Sequence, residues 1–364
     1  MSATSGCWAP TPKARKQLRY RAAEPDLDAY YGDIEQAHLQ PLWEMSGLLT
    51  PTPVVKAVPY RWSADNLQKL AARAGELVPI DRGGDRRVLA MSNPGLGGAP
   101  FISGTLWAAV QFLQAAEVAP AHRHTPGALR FVLDGDGVYT LLDGDPVAMS
   151  RGDLILTPSW VYHEHHNPSS APMMWLDVLD LPMVAALDAV FFEEGPSEEA
   201  DQSVSPRSAA ERRFGQGPGL VPTGVSAAVH DRPHSPLTVY RWAETDATLN
   251  SLLEFGDGQQ AELRYRDPTR DRDVMPTLRC EMRRVVGGHT TATDQQTGTR
   301  VCAVLDGTGT VQLGGQELSL APGDVFVVPS WCEHQLEATS TLDIFTTSDA
   351  PVLEALGLFR RKVA

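Results

Sequence analysis

Short apolar segments alternate with polar turns in two regions of the chain. Between about residues 86 and 180 the apolar segments are RRVLAM, TLWAAVQFL, ALRFVLDGDGVYTLLDGDPVAM, GDLILTP and MMWLDVLD. The same pattern returns from about residue 275 to 348. Strand-length segments separated by Asp-Gly pairs are typical of antiparallel hairpins. We therefore predict an all-β fold of the barrel or jelly-roll type.

Helical patterns lie outside these two regions. Residues 26–45 and 63–77 carry apolar side chains at mixed spacings of three and four, and Ser63 is placed to cap the second segment. Two further short helices are predicted, over 181–194 and 351–362. The fold prediction is therefore all-β with a helical N-terminal extension and a few short helices.

The two β regions resemble each other in sequence, which indicates a duplicated unit. LDGDG at 133–137 matches LDGTG at 305–309, an offset of 172, and RGDLILTPSW at 151–160 matches PGDVFVVPSW at 322–331, an offset of 171. The stretch between the copies is rich in Ser, Pro and Gly and predicts a linker or surface excursion. The predicted domains are a helical extension (1–85), a first barrel (86–194), a linker (195–240) and a second barrel with a C-terminal helix (241–364).

Composition and charge narrow the class of protein. The chain has 364 residues and a formal net charge of −14, which disfavours nucleic acid and anionic membranes as partners. We find no run of membrane-spanning length and no signal-peptide pattern at the N-terminus. The four cysteines, Cys7, Cys280, Cys302 and Cys332, are scattered, which predicts free thiols in a reducing cytoplasm.

The candidate chemistry begins with two histidines one residue apart. His122 and His124 would point to the same side of a strand, and His163 from a later strand could complete a metal site inside the first barrel. Three neutral imidazoles leave the charge of a divalent ion uncompensated and its remaining positions open, which suits an anionic bidentate ligand. The ligand count does not choose between iron and zinc.

The second copy lacks this set of ligands. By the same offsets, His122 aligns with Asp294, His124 with Gln296 and His163 with His334. Asp, Gln and His together make a poor transition-metal site. We expect the second barrel to be structural, to support the first barrel and to contact other subunits.

The surroundings of the histidines resemble the two motifs of the cupin family. The first motif is matched in spacing by Ala116, His122, His124, Ala128 and Gly135. The second is matched by Gly152, Pro158, Trp160, His163 and Asn167. Ala128 stands where many cupins place a metal-binding glutamate, so a ligand set of histidines alone is expected.

A closer resemblance is to the gentisate 1,2-dioxygenases and the related salicylate and 1-hydroxy-2-naphthoate dioxygenases. It is carried by SGTLWAAVQFLQAAEVAPAHRHTPGALRFVLDGDG, TPSWVYHEHHN and WLDVLDLPMV. The resemblance implies a bicupin with a non-haem Fe(II) held by His122, His124 and His163, usually assembled as a tetramer. It further implies that O2 opens an aromatic acid between its carboxyl-bearing and hydroxyl-bearing carbons, with gentisate giving maleylpyruvate.

The resemblance also suggests catalytic and substrate-binding residues. His165 should share the inward face with His163 and either handle a proton or bind the dioxygen or hydroxyl. Asp177 should orient His165 or an arginine. Three arginines are expected to hold the substrate carboxylate: Arg82, Arg86 and Arg130. Trp107, Ala109 and Gln111 alternate along one strand and are expected to line the ring. Arg87 is expected to be a solvated surface residue.

Alternatives remain open from the sequence. The substrate could be salicylate, a substituted salicylate or 1-hydroxy-2-naphthoate. The protein could instead be a non-catalytic bicupin that stores or senses an aromatic acid. A manganese cupin, such as a decarboxylase or isomerase, is a third alternative, although such proteins normally keep the glutamate that Ala128 replaces.

Overall fold

The computed structural model describes residues 25–78, 87–195, 207–215, 220, 222 and 232–363. The chain divides into a unit that ends at Val54 and a second unit that begins at Val55. The first unit holds helix α1 (Pro25–Gln36) and a 3-10 turn (Leu42–Glu44). Among the described residues, no helix has both the length and the apolar character needed to cross a membrane.

The second unit is built mainly of strands. Its helices are α2 (Ala64–Leu77), α3 (Leu181–Ala186), α4 (Ala209–Phe214), α5 (Trp242–Phe255) and α6 (Ala350–Ala355), with a 3-10 turn at Pro94–Leu96. Its strands up to the middle of the chain are β1 (Tyr60–Trp62), β2 (Val88–Ala90), β3 (Trp107–Leu113), β4 (Val118–His124), β5 (Ala128–Asp134), β6 (Asp136–Leu142), β7 (Asp145–Ser150), β8 (Leu154–Thr157), β9 (His163–His166), β10 (Met173–Leu179), β11 (Phe192–Glu194) and β12 (Val239–Tyr240). The remaining strands are β13 (Gln260–Arg264), β14 (Arg279–Val285), β15 (Asp294–Gln296), β16 (Arg300–Asp306), β17 (Gly309–Leu313), β18 (Gln316–Leu320), β19 (Val325–Val328), β20 (His334–Ala338), β21 (Leu342–Ser348) and β22 (Arg361–Val363).

These strands form two barrels, each made of two antiparallel sheets. In the first barrel the sheet orders are β12-β8-β5-β10-β3-β2 and β11-β4-β9-β6-β7. In the second they are β1-β19-β16-β21-β14-β13 and β18-β17-β20-β15-β22. The equivalent strands follow the same order, so the prediction of a duplicated all-β barrel is confirmed.

The two barrels share one apolar core. Phe131 of β5 stacks on Phe345 of β21 with ring centroids 4.1 Å apart and planes 5° from parallel. Both rings are fully buried, and the apolar cluster around them draws residues from both barrels. The six-stranded sheets therefore pack against each other through one face, and their opposite faces, together with the five-stranded sheets, enclose the interior of each barrel.

Each barrel is completed by a strand and a helix that the other repeat contributes. β1 precedes the first barrel but pairs with β19 of the second, while β12 precedes the second barrel and pairs with β8 of the first. The helix that follows each strand is capped by an aspartate of the barrel it reaches: Asp324 accepts from Ala64 N at 2.7 Å and Asp153 from Trp242 N at 2.9 Å. The carboxylate of Asp324 thus makes the capping bond expected of Ser63, which holds the N-cap position without a side-chain bond.

A glycine makes room for helix α5 against the first barrel. Gly152 has a φ of +85°, and a Cβ built on it would lie 2.7 Å from the Trp242 ring. A side chain at this position would therefore both strain the turn and displace helix α5.

The Asp-Gly pairs differ in what they do. Asp143 and Gly144 join the hairpin of β6 and β7, as predicted, with φ values of 47° and 82°. The hairpin prediction for Asp134-Gly135 is wrong, because β5 and β6 belong to different sheets of the barrel. A positive φ at Gly135 turns the chain from one sheet to the other.

Three of the predicted helices end early, and the first of them, predicted over 26–45, stops at Gln36. The helix predicted over 181–194 stops at Ala186, and β11 then pairs with β4, so that Glu194 lies opposite His122. The helix predicted over 351–362 stops at Ala355, and β22 pairs in the same way with β15. In both copies the segment pairs with the edge of the five-stranded sheet and therefore becomes a strand.

The three cysteines among the described residues form no disulfide, as predicted. Cys280 and Cys302 are buried and Cys332 is partly buried, and all three are free thiols. Burial raises the pKa of the Cys302 thiol, which keeps it protonated.

Candidate metal centre

Three histidines converge inside the first barrel. β4 pairs with β9 so that His122 lies opposite His163, and His124 follows on the same face of β4. The ring centroids of His122 and His163 are 4.3 Å apart, and those of His124 and His163 are 5.0 Å apart. One nitrogen from each ring lies within 4.8 Å of the other two, a spacing that one ion can bridge.

Backbone carbonyls fix the orientation of all three rings. The Nδ1 atoms lie at hydrogen-bond distance from carbonyl oxygens: His122 from Pro120 O (3.0 Å), His124 from Pro126 O (2.7 Å) and His163 from Val161 O (3.1 Å). A carbonyl can only accept, so each Nδ1 carries the proton and each Nε2 keeps its lone pair. Rings held in this way are typical of histidine metal ligands.

The electrostatics of the site favour neutral imidazoles. Burial, with smaller contributions from neighbouring histidines and Arg130, lowers the pKa of His124 to about 4 and that of His163 well below its ordinary value. His163 Nε2 is buried and has no hydrogen-bond partner among the residues that the structure describes. A buried acceptor without a partner is costly, and a bound cation would satisfy it. The residues present therefore fit a divalent metal ion.

His165 lies beside the triad on the same inward face, as expected. Its ring centroid is 6.0 Å from that of His163. Its Nδ1 is 2.7 Å from the Thr140 hydroxyl, which donates to Met149 Sδ at 3.1 Å and therefore accepts the Nδ1 proton. Nε2 is buried and is left as an acceptor, with no partner within the described part of the chain.

Arg130 and Asp177 form a buried ion pair on neighbouring strands. They are directly opposite each other on β5 and β10, with Arg130 Nε 3.3 Å from Asp177 Oδ1. Arg130 Nη1 also donates to Thr157 Oγ1, and Trp175 Nε1 donates to Asp177 Oδ2 at 3.2 Å. Burial raises the pKa of Asp177 to about 6 despite the opposing charge of Arg130.

The strand β3 presents three expected lining residues to the same face. Ala109 is directly opposite Asp177 across the β3–β10 pair, and Trp107 and Gln111 are two residues to either side. The intervening Ala108 and Val110 pack into the core between the barrels. Ala109, Asp177 and Arg130 thus form a row across three adjacent strands.

The arginines near residue 85 have different outcomes. Arg82 and Arg86 lie outside the described residues, so their expected role stays a prediction. The expectation that Arg87 is solvated is wrong: it is buried, pairs with Glu117 and donates to Gly75 O at 3.2 Å. Gly75 belongs to α2, so a helix packed on β3 takes this guanidinium out of water.

Sequence reasoning missed the partners of the catalytic candidates. Thr140 contacts His165, Thr157 contacts Arg130, and Trp175 contacts Asp177. A comparison of the two copies could have found them, because the second copy has apolar residues at the equivalent positions, which are Val311, Val328 and Ile344. Polar or aromatic residues confined to the histidine-bearing copy indicate support of its site.

Comparisons with known proteins agree with this geometry. Residues 109–179 and 281–346 each match the cupin domain family. The chain is 48% identical to a gentisate 1,2-dioxygenase of Streptomyces sp, over 92% of this chain and 94% of that protein. It is 34% identical to a 5-aminosalicylate 1,2-dioxygenase of Comamonas sp, over 93% and 91%.

Solved structures give the same picture. The salicylate 1,2-dioxygenase from Pseudaminobacter salicylatoxidans is 43% identical and superposes with a TM-score of 0.89, covering 94% of this chain and 99% of that chain. The same enzyme has also been solved as adducts with gentisate.

Proposed function

Because this chain belongs to the bicupin family of gentisate 1,2-dioxygenases, which includes the salicylate and 1-hydroxy-2-naphthoate dioxygenases, we propose that its own substrate is gentisate. The chain is a ring-cleaving 1,2-dioxygenase of aromatic acids. In the proposed reaction both atoms of O2 enter gentisate, and the ring opens between its carboxyl-bearing and hydroxyl-bearing carbons to give maleylpyruvate. The observation that carries the proposal is the histidine triad, intact in one barrel of a chain so similar to a gentisate dioxygenase.

The proposed cofactor is ferrous iron, held by Nε2 of His122, His124 and His163. Bound there, iron would supply open coordination positions and the one-electron chemistry that O2 requires. Imidazole ligands suit iron, and the absence of a carboxylate from the set leaves the positive charge of the site for an anionic substrate.

Arg130 is proposed to bind the carboxylate of the substrate. Its charge contributes to the lowered pKa of His124, His163 and His165, which places the guanidinium within electrostatic range of the triad. Asp177 and Thr157 hold it in a fixed orientation. A planar guanidinium held in this way can bind the substrate carboxylate with two parallel bonds. Arg82 and Arg86 are proposed to assist, and Trp107, Ala109 and Gln111 to line the ring.

Proton handling is assigned to His165. Burial lowers its pKa well below the ordinary value, so the ring is neutral at physiological pH. With Nδ1–H held by Thr140, the free acceptor is Nε2, on the face that it shares with His163. This nitrogen can accept the proton of a substrate hydroxyl and return it later in the reaction.

Salicylate is the second candidate substrate. The specific observation in its favour is the TM-score of 0.89 with a salicylate 1,2-dioxygenase at 43% identity. Both substrates carry a carboxylate beside a hydroxyl, and gentisate differs from salicylate only by a second hydroxyl, para to the first.

The proposal is tested by oxygen uptake after anaerobic reconstitution with Fe(II). Gentisate, salicylate, 5-aminosalicylate and 1-hydroxy-2-naphthoate are supplied in turn, and we expect the highest kcat/KM with gentisate. His122→Ala and His163→Ala should abolish both iron retention and uptake, because two imidazoles do not hold the ion. His289→Ala, which removes a loop histidine far from the ligand strands in sequence, is the control.

Two results would count against the proposal. Uptake with salicylate exceeding that with gentisate would move the substrate to the second candidate. Tight binding of gentisate by the iron-loaded protein without any oxygen consumption would favour a non-catalytic aromatic-acid-binding protein.

A further inference from the structure

The second barrel contains an arginine at the place of the lost metal site. Asp294 and His334 occupy the positions of His122 and His163, and Arg300 occupies the position of Ala128. Arg300 Nη1 lies 2.7 Å from Asp294 Oδ2, and Nη2 lies 3.1 Å from His334 Nδ1. A buried guanidinium at this point excludes a metal ion by charge repulsion.

A cavity of about 370 Å³ opens beside this arginine. Its wall includes Arg279, Glu281 and Arg283 of β14, which are equivalent to Trp107, Ala109 and Gln111 of β3. The cavity is therefore the counterpart, strand by strand, of the proposed aromatic pocket in the first barrel. Its volume is within the range of small-molecule sites, about 300–1,000 Å³.

The wall of the cavity carries charges of both signs. Five arginines line it, at 264, 279, 283, 300 and 361, with four carboxylates, at 262, 281, 294 and 354. Arg300 and Arg361 share the single carboxylate of Asp294, whereas Asp273, outside the lining, pairs with Arg264 and Arg279. An anion can therefore bind only where an arginine has a free donor or can give up its partner.

One arginine is held loosely enough to exchange partners. Arg283 pairs with Glu262 at 2.6 Å, but the Glu262 side chain is 49% exposed and that of Arg283 only 19%. An exposed ion pair contributes little, so a ligand carboxylate could take the place of Glu262 at small cost. Arg279, by contrast, is fixed by both Asp273 and Glu354.

Part of the cavity lining is apolar. We call four of its buried side chains the apolar floor: Cys302, Phe326, Leu336 and Ile344. A site that combines arginines with a hydrocarbon surface suits an amphipathic ligand better than an inorganic anion.

We propose that the interior of the second barrel is a second ligand site, which binds a small organic carboxylate. The carboxylate lies between Arg283, whose partner is exposed, and Arg300, whose buried Nε has no hydrogen-bond partner among the described residues. The hydrocarbon part lies on the apolar floor. Two sources of this chemistry exist in the proposed reaction, the aromatic acid and the ring-opened dicarboxylate. The site itself does not depend on catalysis in the first barrel.

The test uses two probes and a protein without the first metal site. Benzoate represents an intact aromatic acid and maleate a ring-opened dicarboxylate, and each is titrated into the His122→Ala full-length chain by calorimetry at constant ionic strength. We expect saturable binding of at least one probe. Arg283→Gln should weaken it tenfold or more, and so should the charge-neutral pair Asp294→Asn/Arg300→Met.

Control and location complete the test. Arg266→Gln removes a guanidinium whose side chain is 48% exposed and which lies outside the cavity lining, and it should leave the affinity unchanged. Crystals soaked in 4-bromobenzoate should show the bromine on the apolar floor. Absence of binding, equal affinity in the Arg283→Gln protein, or bromine found only in the first barrel would each overturn the proposal. None of these results bears on oxygen uptake by the wild-type enzyme.

Discussion

Three imidazoles of the first barrel direct their Nε2 atoms toward one point because the Nδ1 atom of each ring is hydrogen-bonded to a backbone carbonyl. The spacing of His122, His124 and His163 predicted their convergence correctly, since side chains two apart on a strand share a face. The carbonyl partners could not be predicted, because they depend on the path of the strand ends. The same applies to Arg87, whose burial depends on where α2 packs.

The first residue-scale prediction concerns the hydroxyl behind His165. Thr140→Val removes the acceptor for Nδ1–H, so the ring loses the tautomer that leaves Nε2 free. We expect kcat to fall roughly tenfold or more, with iron content and KM near the wild-type values. Thr140→Ser keeps the hydroxyl and should restore most of kcat in steady-state oxygen uptake. Equal rates for the valine and serine variants would remove Thr140 from the proton pathway.

The second concerns the buried carboxylate of Asp177. Its pKa is raised from 3.8 to about 6, so the ionised form costs stability in the folded state and the cost sets in as pH rises from 4 to 6. Asp177→Asn has no such cost. The stability of the variant relative to wild type should therefore improve by up to about 3 kcal/mol between pH 4 and pH 7. Urea denaturation at a series of pH values measures this, and a difference independent of pH would contradict it.

At the scale of elements, the sequence predicts one Asp-Gly turn correctly and another wrongly. Asp143-Gly144 is a hairpin because both residues adopt positive φ, which this pair favours. Asp134-Gly135 has the same letters but joins different sheets, and only the packing of the two sheets distinguishes the cases. The sequence predicts helix where strands β11 and β22 form, because the strands that they pair with, β4 and β15, are distant in sequence.

One turn contains a strain that a substitution can relieve. Ala116 precedes β4, stands at a glycine position of the cupin motif and has a φ of 60°. Ala116→Gly should therefore raise the free energy of unfolding by up to about 1 kcal/mol. Ala115→Gly, at the adjacent exposed position without a positive φ, should lower it instead. Chemical denaturation of both variants is the measurement, and a loss of stability in both would show that the turn is not strained.

At the scale of the whole molecule, the repeat was predicted from LDGDG and TPSW, but its extent was not. The strand and helix exchanged between the barrels are also repeated: Trp62 pairs with Val325 as Tyr240 pairs with the equivalent Leu154, at an offset of 178. The change of offset conceals this part of the repeat in the sequence. No pattern within one copy could show that β1 and β12 each pair with the opposite barrel, because the exchange is a property of both copies together.

The exchange predicts that the barrels unfold together. Phe345→Ala removes a fully buried ring that stacks on Phe131 of the other barrel, and it should cost about 3–5 kcal/mol. We expect a single calorimetric transition at lower temperature, and protein reconstituted with Fe(II) should release its metal at that same transition. Phe255→Ala, at a ring that is 91% exposed, should leave the melting temperature unchanged. Two separate transitions in the Phe345→Ala protein would show that the barrels are independent.

The exchanged strands also bear on how such a gene can evolve. After a duplication, a copy that has lost its catalyst is normally free to drift or be deleted. Here the half without the histidine triad supplies β12, Trp242 and the rest of α5 to the half that carries it, so deleting it would uncover β8 and the Gly152 turn. Selection for activity in one half therefore preserves the scaffold of the other, and leaves its interior open to acquire a new use.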